Sequence, residues 1–179
     1  MRHIISVLIE NESGALSRLV GLFSARGYNI DSLCVNVTQD VTLSRLTLTT
    51  EGPEVIVEQI LKQLNKLIEV VKVTDLNEGG YVERELSLVK IKANSKERRD
   101  FLDLITIYEG VVVDISTHNM MVELTGSQDK INAFIEIVGK EHILEIARTG
   151  TVGLGRGERV MSISSVSYTH LTLPTIYSV

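Results

Sequence analysis

The amino-acid sequence predicts an α+β protein made of two consecutive βαββαβ units. Three observations carry this prediction. Short apolar runs typical of strands alternate with stretches whose apolar residues recur every three or four positions, as on one face of a helix. These patterns follow the order strand, helix, strand, strand, helix, strand, once before the polar stretch 77–80 and once after it. The length of 179 residues is sufficient for two small domains.

The first unit opens with a β-branched run from Ile4 to Glu10, a pattern typical of a buried strand. The segment Asn11-Glu12-Ser13-Gly14 interrupts this run, and we expect Ser13 to cap the helix that follows. Gly27 predicts the end of that helix. The expected apolar face consists of Leu16, Leu19, Val20 and Phe23.

The rest of the first unit contains three further strand patterns and one helix pattern. We expect strands at 29–37, 43–50 and 70–73, with Leu46 and Leu48 on one face of the middle one. Gly52-Pro53 predicts the start of the second helix, because proline is tolerated in the first helical turn. The expected apolar stripe of this helix consists of Val57, Ile60, Leu61 and Leu64.

The second unit repeats the same order without clear sequence identity to the first. We expect strands at 86–91, 111–115, 120–124 and 143–147. Ser95 and Ser127 are the expected caps of two helices, which Gly110 and Gly139 end. The expected apolar faces consist of Phe101, Leu102, Ile105 and Tyr108 in one helix and of Ile131, Phe134, Ile135 and Val138 in the other.

This repeated order is the split βαβ arrangement of ferredoxin-like domains. The sequence therefore predicts a first domain at 1–76, a linker at 77–82 and a second domain at 83–161. Residues 162–179 carry no Asp, Glu, Lys or Arg, and Pro174 interrupts any strand there. We interpret this segment as a non-native tail without a functional role.

Composition and motifs argue against several classes of function. The formal net charge of −5 is unlike the basic surface of a nucleic-acid-binding protein. No apolar run approaches the roughly 20 residues that span a membrane, so we expect a cytoplasmic protein. Cys34 is the single cysteine, and the four histidines show no metal-ligand spacing. We therefore predict no metal site, no cofactor site and no catalytic residue in this chain.

The glycine-rich stretch 150–157 resembles a phosphate-binding loop only in part. Such a loop needs a helix directly after it, so that the helix N–H groups meet the phosphate. The residues after Gly157 show no helical periodicity. We therefore expect a flexible, arginine-bearing docking segment there.

The strand-to-helix junction at Asn11 to Gly14 is the most informative site. Free N–H groups at a helix N-terminus attract a carboxylate, and Gly14 would let it approach the backbone. Asn11 can offer both a donor and an acceptor to the charged groups of an amino acid. The same residues also fit a plain strand-to-helix turn, and their chemistry alone leaves both readings open.

Several long motifs are similar to those of acetolactate synthase small subunits, and they occur in the order of that family. Together they span residues 1 to about 161, whereas the segment from Ser162 onward has no counterpart in the family. The matching stretches are Ile5–Arg18, Gly21–Ile30, Thr42–Arg45, Glu58–Leu67, Val82–Leu86 and Ala147–Gly150.

The resemblance implies an ACT domain in the first half and the family's smaller ferredoxin-like domain in the second. ACT domains pair side by side and hold amino acids at their interface, and in this family the effector is typically valine. The implied valine-binding residues are Asn11, Gly14 and Ala15 from one protomer, with Asn29 and Ile30 from its partner in a homodimer.

The resemblance also implies a regulatory role rather than catalysis. The expected partner is the catalytic large subunit, which carries thiamine diphosphate, Mg²⁺ and FAD and which this chain would activate and make sensitive to valine. Two other classes of function stay open at this point. The chain could be a free-standing amino-acid-sensing protein that acts on another partner, or an enzyme in its own right.

Overall fold

A computed structural model describes residues 1–161. The predicted non-native tail at 162–179 lies outside the described residues. Two helix-covered antiparallel sheets follow one another along the chain, each built in the order βαββαβ. The prediction of an α+β fold with two ferredoxin-like units is therefore confirmed.

The elements of the first unit are β1 (Arg2–Glu10), α1 (Ala15–Arg26), β2 (Ser32–Val37), β3 (Leu43–Glu51), α2 (Glu54–Leu64) and β4 (Val70–Asp75). Helices α1 and α2 pack on one face of a four-stranded sheet with strand order β2-β3-β1-β4. The core of this unit combines apolar residues from alternate strand positions, such as Ile5 and Val7, with Leu19 and Phe23 of α1.

A short 3₁₀ turn at Leu76–Glu78 leads into the second unit. Its elements are β5 (Tyr81–Lys92), α3 (Arg98–Ile107), β6 (Val111–Ile115), β7 (Asn119–Gly126), α4 (Gln128–Val138), β8 (Ile143–Arg148) and β9 (Val152–Gly155). The strand order in its main sheet is β6-β7-β5-β8. Phe134 of α4 is fully buried in a separate core with Val89 and Val122.

Two of the three predicted serine caps are wrong. Helix α1 is preceded by Gly14 in a left-handed conformation with φ of 87°, and no side chain caps it. Its buried face starts at Ala15 rather than Leu16, which is 40% exposed. At α3 the side chain of Asn94, not Ser95, accepts hydrogen bonds from the backbone N–H groups of residues 96 and 97. Ser127 does cap α4, accepting from the N–H of Lys130.

The segment 150–157, which we expected to be flexible, instead contains strand β9 at Val152–Gly155. It pairs with the first four residues of β5, from Tyr81 opposite Gly155 to Arg84 opposite Val152. Strand β5 therefore starts five residues earlier than predicted, and it takes part in three ladders, with β7, β8 and β9. The sequence pattern did not reveal this pairing because it joins residues more than 65 positions apart.

Strand β9 and the start of β5 lie over the face of the first sheet that the helices leave free, which we call the outer face. Gly153 sits close to Ile4 and Leu76, and a β-carbon at position 153 would meet the Leu76 side chain at 2.6 Å. Arg2 of β1 donates hydrogen bonds to Glu83 at 2.9 Å and to Thr151 at 3.0 Å. The end of the second unit is thus packed against the first.

Candidate effector site

Asn11 lies directly after β1, where its side-chain amide fixes the neighbouring loop. Its Nδ2 donates to the carbonyl of Val41 at 2.9 Å, and its Oδ1 accepts from the hydroxyl of Ser44 at 3.1 Å. Its backbone N–H donates to the carbonyl of Thr42. An amide has two N–H donors and two acceptor lone pairs, so one of each is left for a ligand. The predicted dual role of Asn11 is compatible with this geometry.

Gly14 places the N-terminus of α1 beside an arginine. Its positive φ lets the backbone turn sharply into the helix, a conformation that costs other residues about 1–2 kcal/mol. A β-carbon on Gly14 would lie 2.9 Å from Nη1 of Arg18. The guanidinium of Arg18 also pairs with Glu69, with 2.5 Å between Nε and Oε1. Free helix N–H groups and a guanidinium therefore flank the same space, which favours a carboxylate.

Ala15 lies in the core of the first unit and is only 3% exposed. Its methyl group packs with the core residues of the first sheet, so a ligand outside the helix would meet only its backbone. Of the three predicted residues in this half of the site, the structure brings Asn11 and Gly14 together at the surface and turns the side chain of Ala15 inward.

An open cleft of about 480 Å³ adjoins Asn11. This volume is in the range of small-molecule sites. Two carboxylates, Glu10 and Glu12, can attract an ammonium group. Three apolar side chains, Val41, Leu43 and Val71, can contact an aliphatic side chain. The cleft thus offers groups for the ammonium and for the side chain of a small apolar amino acid, whereas Gly14 and Arg18 are not among its lining residues.

Asn29 and Ile30 lie at the other end of α1. The Nδ2 of Asn29 donates to Asp31 at 2.6 Å, and its carbonyl accepts from the hydroxyl of Thr50 at 2.7 Å. Ile30 is partly buried against the core of the first unit. Helix α1 has 12 residues, so at about 1.5 Å per residue it separates the two groups by roughly 18 Å. A single chain therefore does not bring the five predicted residues into one site.

The loop that Asn11 holds is itself ordered by Asp40. This carboxylate accepts hydrogen bonds from the hydroxyl and the backbone N–H of Thr42, at 2.6 and 2.9 Å. These bonds favour the charged form and lower the pKa of Asp40 below its ordinary value of 3.8, the hydroxyl contributing most. The loop that carries Val41 to the cleft is thus fixed by the hydrogen bond from Asn11 and by the bonds between Thr42 and Asp40.

Four residues of the candidate site were not predicted from the sequence: Arg18, Glu69, Val41 and Asp40. Arg18 had a usable signal, because it follows Gly14 by four positions and so lies one helical turn away. The others come from loops that are distant in sequence, and no local pattern marks them.

Residues 1–161 contain no cluster of three or more His, Cys, Asp or Glu suited to a metal ion. Within that same range, no helix is long and apolar enough to cross a membrane.

Comparison with known proteins decides the family. A model described as the small subunit of acetolactate synthase matches residues 84–157, and one described as an AHAS small subunit-like ACT domain matches residues 5–72. The chain is 49% identical over 162 residues to the acetolactate synthase isozyme 3 small subunit of Salmonella typhimurium, covering 90% of this chain and 99% of that protein. The chain belongs to the acetolactate synthase small-subunit family.

Other members extend this family across bacteria and archaea. A probable acetolactate synthase small subunit of Archaeoglobus fulgidus is 45% identical, over 89% of this chain and 99% of its own length. The crystal structure of the acetolactate synthase small subunit from Thermotoga maritima matches with a TM-score of 0.81 at 36% identity, over 89% of this chain and 99% of that one. The resemblance noted from the sequence is thus confirmed, and so is the ACT domain that it implied.

Proposed function

We propose that this chain is the regulatory subunit of an acetolactate synthase and acts in branched-chain amino-acid biosynthesis. It activates a catalytic large subunit and makes that subunit sensitive to feedback inhibition by valine. Family membership supports the role. The observation that carries the valine assignment is the left-handed Gly14, which opens the helix N-terminus beneath Arg18.

In the proposed complex the valine carboxylate lies at the N-terminus of α1, close to Gly14 and Arg18. The ammonium group turns toward the carboxylates that line the adjacent cleft, and the isopropyl group contacts Val41 and Val71. Opposite charges are thus matched at both ends of the ligand, as binding of a zwitterion requires.

The proposed site is completed by a second copy of the chain. The separation of roughly 18 Å between Gly14 and Asn29 within one chain supports this arrangement. In a side-by-side homodimer of ACT domains, Asn29 and Ile30 of one protomer face the helix N-terminus of its partner. Valine binding would then stabilise the dimer interface as well as fill the site.

Valine sensing, tuning of the response and catalysis are assigned to different domains and subunits. Residues 1–76 form the valine-sensing domain, and residues 83–161 tune the response or assist assembly. Thiamine diphosphate, Mg²⁺ and FAD belong to the catalytic subunit, and this chain contributes no catalytic group. The complex works in the cytoplasm on pyruvate and 2-oxobutyrate.

Two measurements test the proposal. Titration calorimetry of the purified chain should show saturable binding of valine. Assays of acetolactate formation should show no turnover by this chain alone with all cofactors supplied, and a higher, valine-sensitive rate once the catalytic subunit is added. Valine binding without any effect on the catalytic subunit would favour a free-standing amino-acid sensor. Turnover by the chain alone would overturn the regulatory assignment.

A further inference from the structure

A second cavity, of about 210 Å³, lies on the outer face of the first sheet, beside edge strand β4. The polar side chains around it are all hydrogen-bond donors or hydroxyls: Arg45 of β3, Lys72 and Thr74 of β4, and Arg159 from the segment after β9. Leu76 supplies an apolar wall. No carboxylate is among its lining residues in the described part of the chain.

The sheet register places two of these cationic residues, Arg45 and Lys72, on strands that flank β1. Arg45 lies directly opposite Leu8 on one side of β1, and Lys72 lies opposite Leu8 on the other. Adjacent strands are about 4.8 Å apart, so the two backbones are about 10 Å apart with both side chains on the outer face. Their long side chains can therefore converge over Leu8 and contact one ligand.

Arg45 is half-buried with only neutral partners. Its Nε donates to the hydroxyl of Ser6 at 3.1 Å, and its Nη2 donates to the carbonyl of Gly153 at 3.3 Å. A guanidinium has five N–H donors, so most of them have no acceptor among residues 1–161. Burial lowers the pKa of Arg45, because loss of contact with water disfavours the charged guanidinium.

The carboxylate of Asp75, next to the cavity-lining residues Thr74 and Leu76, is turned away from this cavity. Asp75 lies between Thr74 and Leu76, but its side chain points to the opposite face of the strand. There it lies 3.0 Å from Nδ1 of His3 and accepts from the backbone N–H of Asn77 at 2.9 Å. None of the ion pairs found within residues 1–161 includes Arg45, Lys72 or Arg159.

Arg159 is held beside the cavity by two glycines. Its Cβ packs on Gly155, where an added β-carbon would lie 3.0 Å away, and its guanidinium lies against Gly79, where a β-carbon would collide with it. The absence of side chains at these two positions leaves room for Arg159 beside the cavity. Three cationic residues therefore line one cavity of a chain whose formal net charge is −5.

We propose that this cavity binds a small oxyanion, a phosphate or carboxylate group of a free metabolite, between Arg45, Lys72 and Arg159. Arg45 and Lys72 are partly buried, and Arg159 is exposed. Like charges around one cavity repel, and an anion among them offsets that repulsion while accepting hydrogen bonds from the unused donors. A water molecule takes about 30 Å³ of liquid, so the volume admits one such group with several waters. A phosphate dianion should bind more tightly than a carboxylate, because its tetrahedral oxygens can accept from donors on three sides.

The test is titration calorimetry on the full chain, with inorganic phosphate and acetate as separate ligands and chloride used to hold ionic strength constant. We expect saturable binding, tighter for phosphate. Lys72→Gln and Arg159→Gln should each weaken it about tenfold, the loss expected for one charge-assisted hydrogen bond. The matched controls are Lys62→Gln and Arg26→Gln, which remove the same charge from exposed positions far from the cavity and should leave the affinity unchanged.

Thermal unfolding supplies a second readout that separates binding from folding. Without phosphate, Lys72→Gln should unfold at the same or a higher temperature than the unchanged chain, because one repelling charge is gone. With phosphate, the unchanged chain should gain stability and the variant should gain little. The proposal is overturned if neither anion binds saturably, or if the control substitutions weaken binding as much as Lys72→Gln does.

Discussion

Nη1 of Arg18 lies 2.9 Å from the point that a β-carbon on Gly14 would occupy. Gly14→Asp would therefore place a carboxylate in the space proposed for the carboxylate of valine. Like charges about 4 Å apart repel by roughly 4 kcal/mol at an effective dielectric near 20, although Arg18 would offset part of this. We expect valine affinity to fall by about tenfold to a thousandfold in calorimetry, with an active but valine-resistant holoenzyme.

The control for this change is Gly21→Asp. It adds the same carboxylate to the same helix, at an exposed position where a β-carbon meets nothing within 4 Å. Valine affinity should be unchanged in this variant. Undiminished valine affinity in Gly14→Asp, with the fold intact by circular dichroism, would place the site elsewhere.

Asn29 supplies the test of a site shared between protomers. Asn29→Ala removes hydrogen bonds whose loss leaves ligand groups unpaired, at a cost of about 1–3 kcal/mol, and should weaken valine binding about tenfold or more. A dimer that combines Gly14→Asp in one chain with Asn29→Ala in the other should regain one intact site. Calorimetry on purified mixed dimers gives the stoichiometry, and a mixed dimer that binds no better than either parent would argue for a site within one chain.

The ionisation of Asp40 makes the stability of the loop beside Asn11 depend on pH. Its pKa is lowered in the folded chain, so its contribution to folding is present above the ordinary pKa of 3.8 and is lost as pH falls through the lower folded value. Titration followed by NMR should show this carboxyl ionising below its usual range. Thr42→Val should raise that pKa, whereas Thr38→Val should not, because the Thr38 hydroxyl bonds only to the backbone of residue 40.

Glu85 and Arg148 form a bidentate ion pair in the second unit. Glu85 is 4% exposed, and its two oxygens accept from Nε and Nη2 of Arg148 at 2.5 and 2.8 Å. The bond to Glu85 raises the pKa of Arg148, so the arginine stays charged at any ordinary pH. Glu85→Gln should lower the free energy of unfolding by about 1–3 kcal/mol in urea titrations. Glu58→Gln, which breaks an exposed pair with Lys62, should cost less than about 0.5 kcal/mol.

Local chemistry made much of the fold predictable from sequence. Gly27 ends α1 in a left-handed conformation, and Ser127 caps α4, because both depend on residues within one helical turn. The prediction that Ser13 caps α1 was wrong, although it also rested on residues within one helical turn. Gly14 enters the helix at positive φ, so the polar side chain one position earlier does not lie where it could cap the first turn.

The candidate site was predictable only in part. Gly14 and Asn11 stand at a recognisable strand-to-helix junction, and the structure places both at the surface there. The distance between Gly14 and Asn29 follows from the length of α1, but their proposed joint use needs a second copy of the chain, and one sequence does not show how two copies would pair. Contacts such as Arg45 with Gly153 join positions 108 apart, so no local pattern predicts them.

The pairing of β9 with the first residues of β5 makes the second sheet an insertion within the first unit. Arg84 and Val152 are direct partners on antiparallel strands, and the chain between them leaves and returns at one place. Replacing residues 85–151 by a two-residue Asn-Gly turn would close these strands into a hairpin, because such turns match the twist of paired strands. The product would be a chain of 114 residues in which β9 and the start of β5 still cover the outer face of the first sheet.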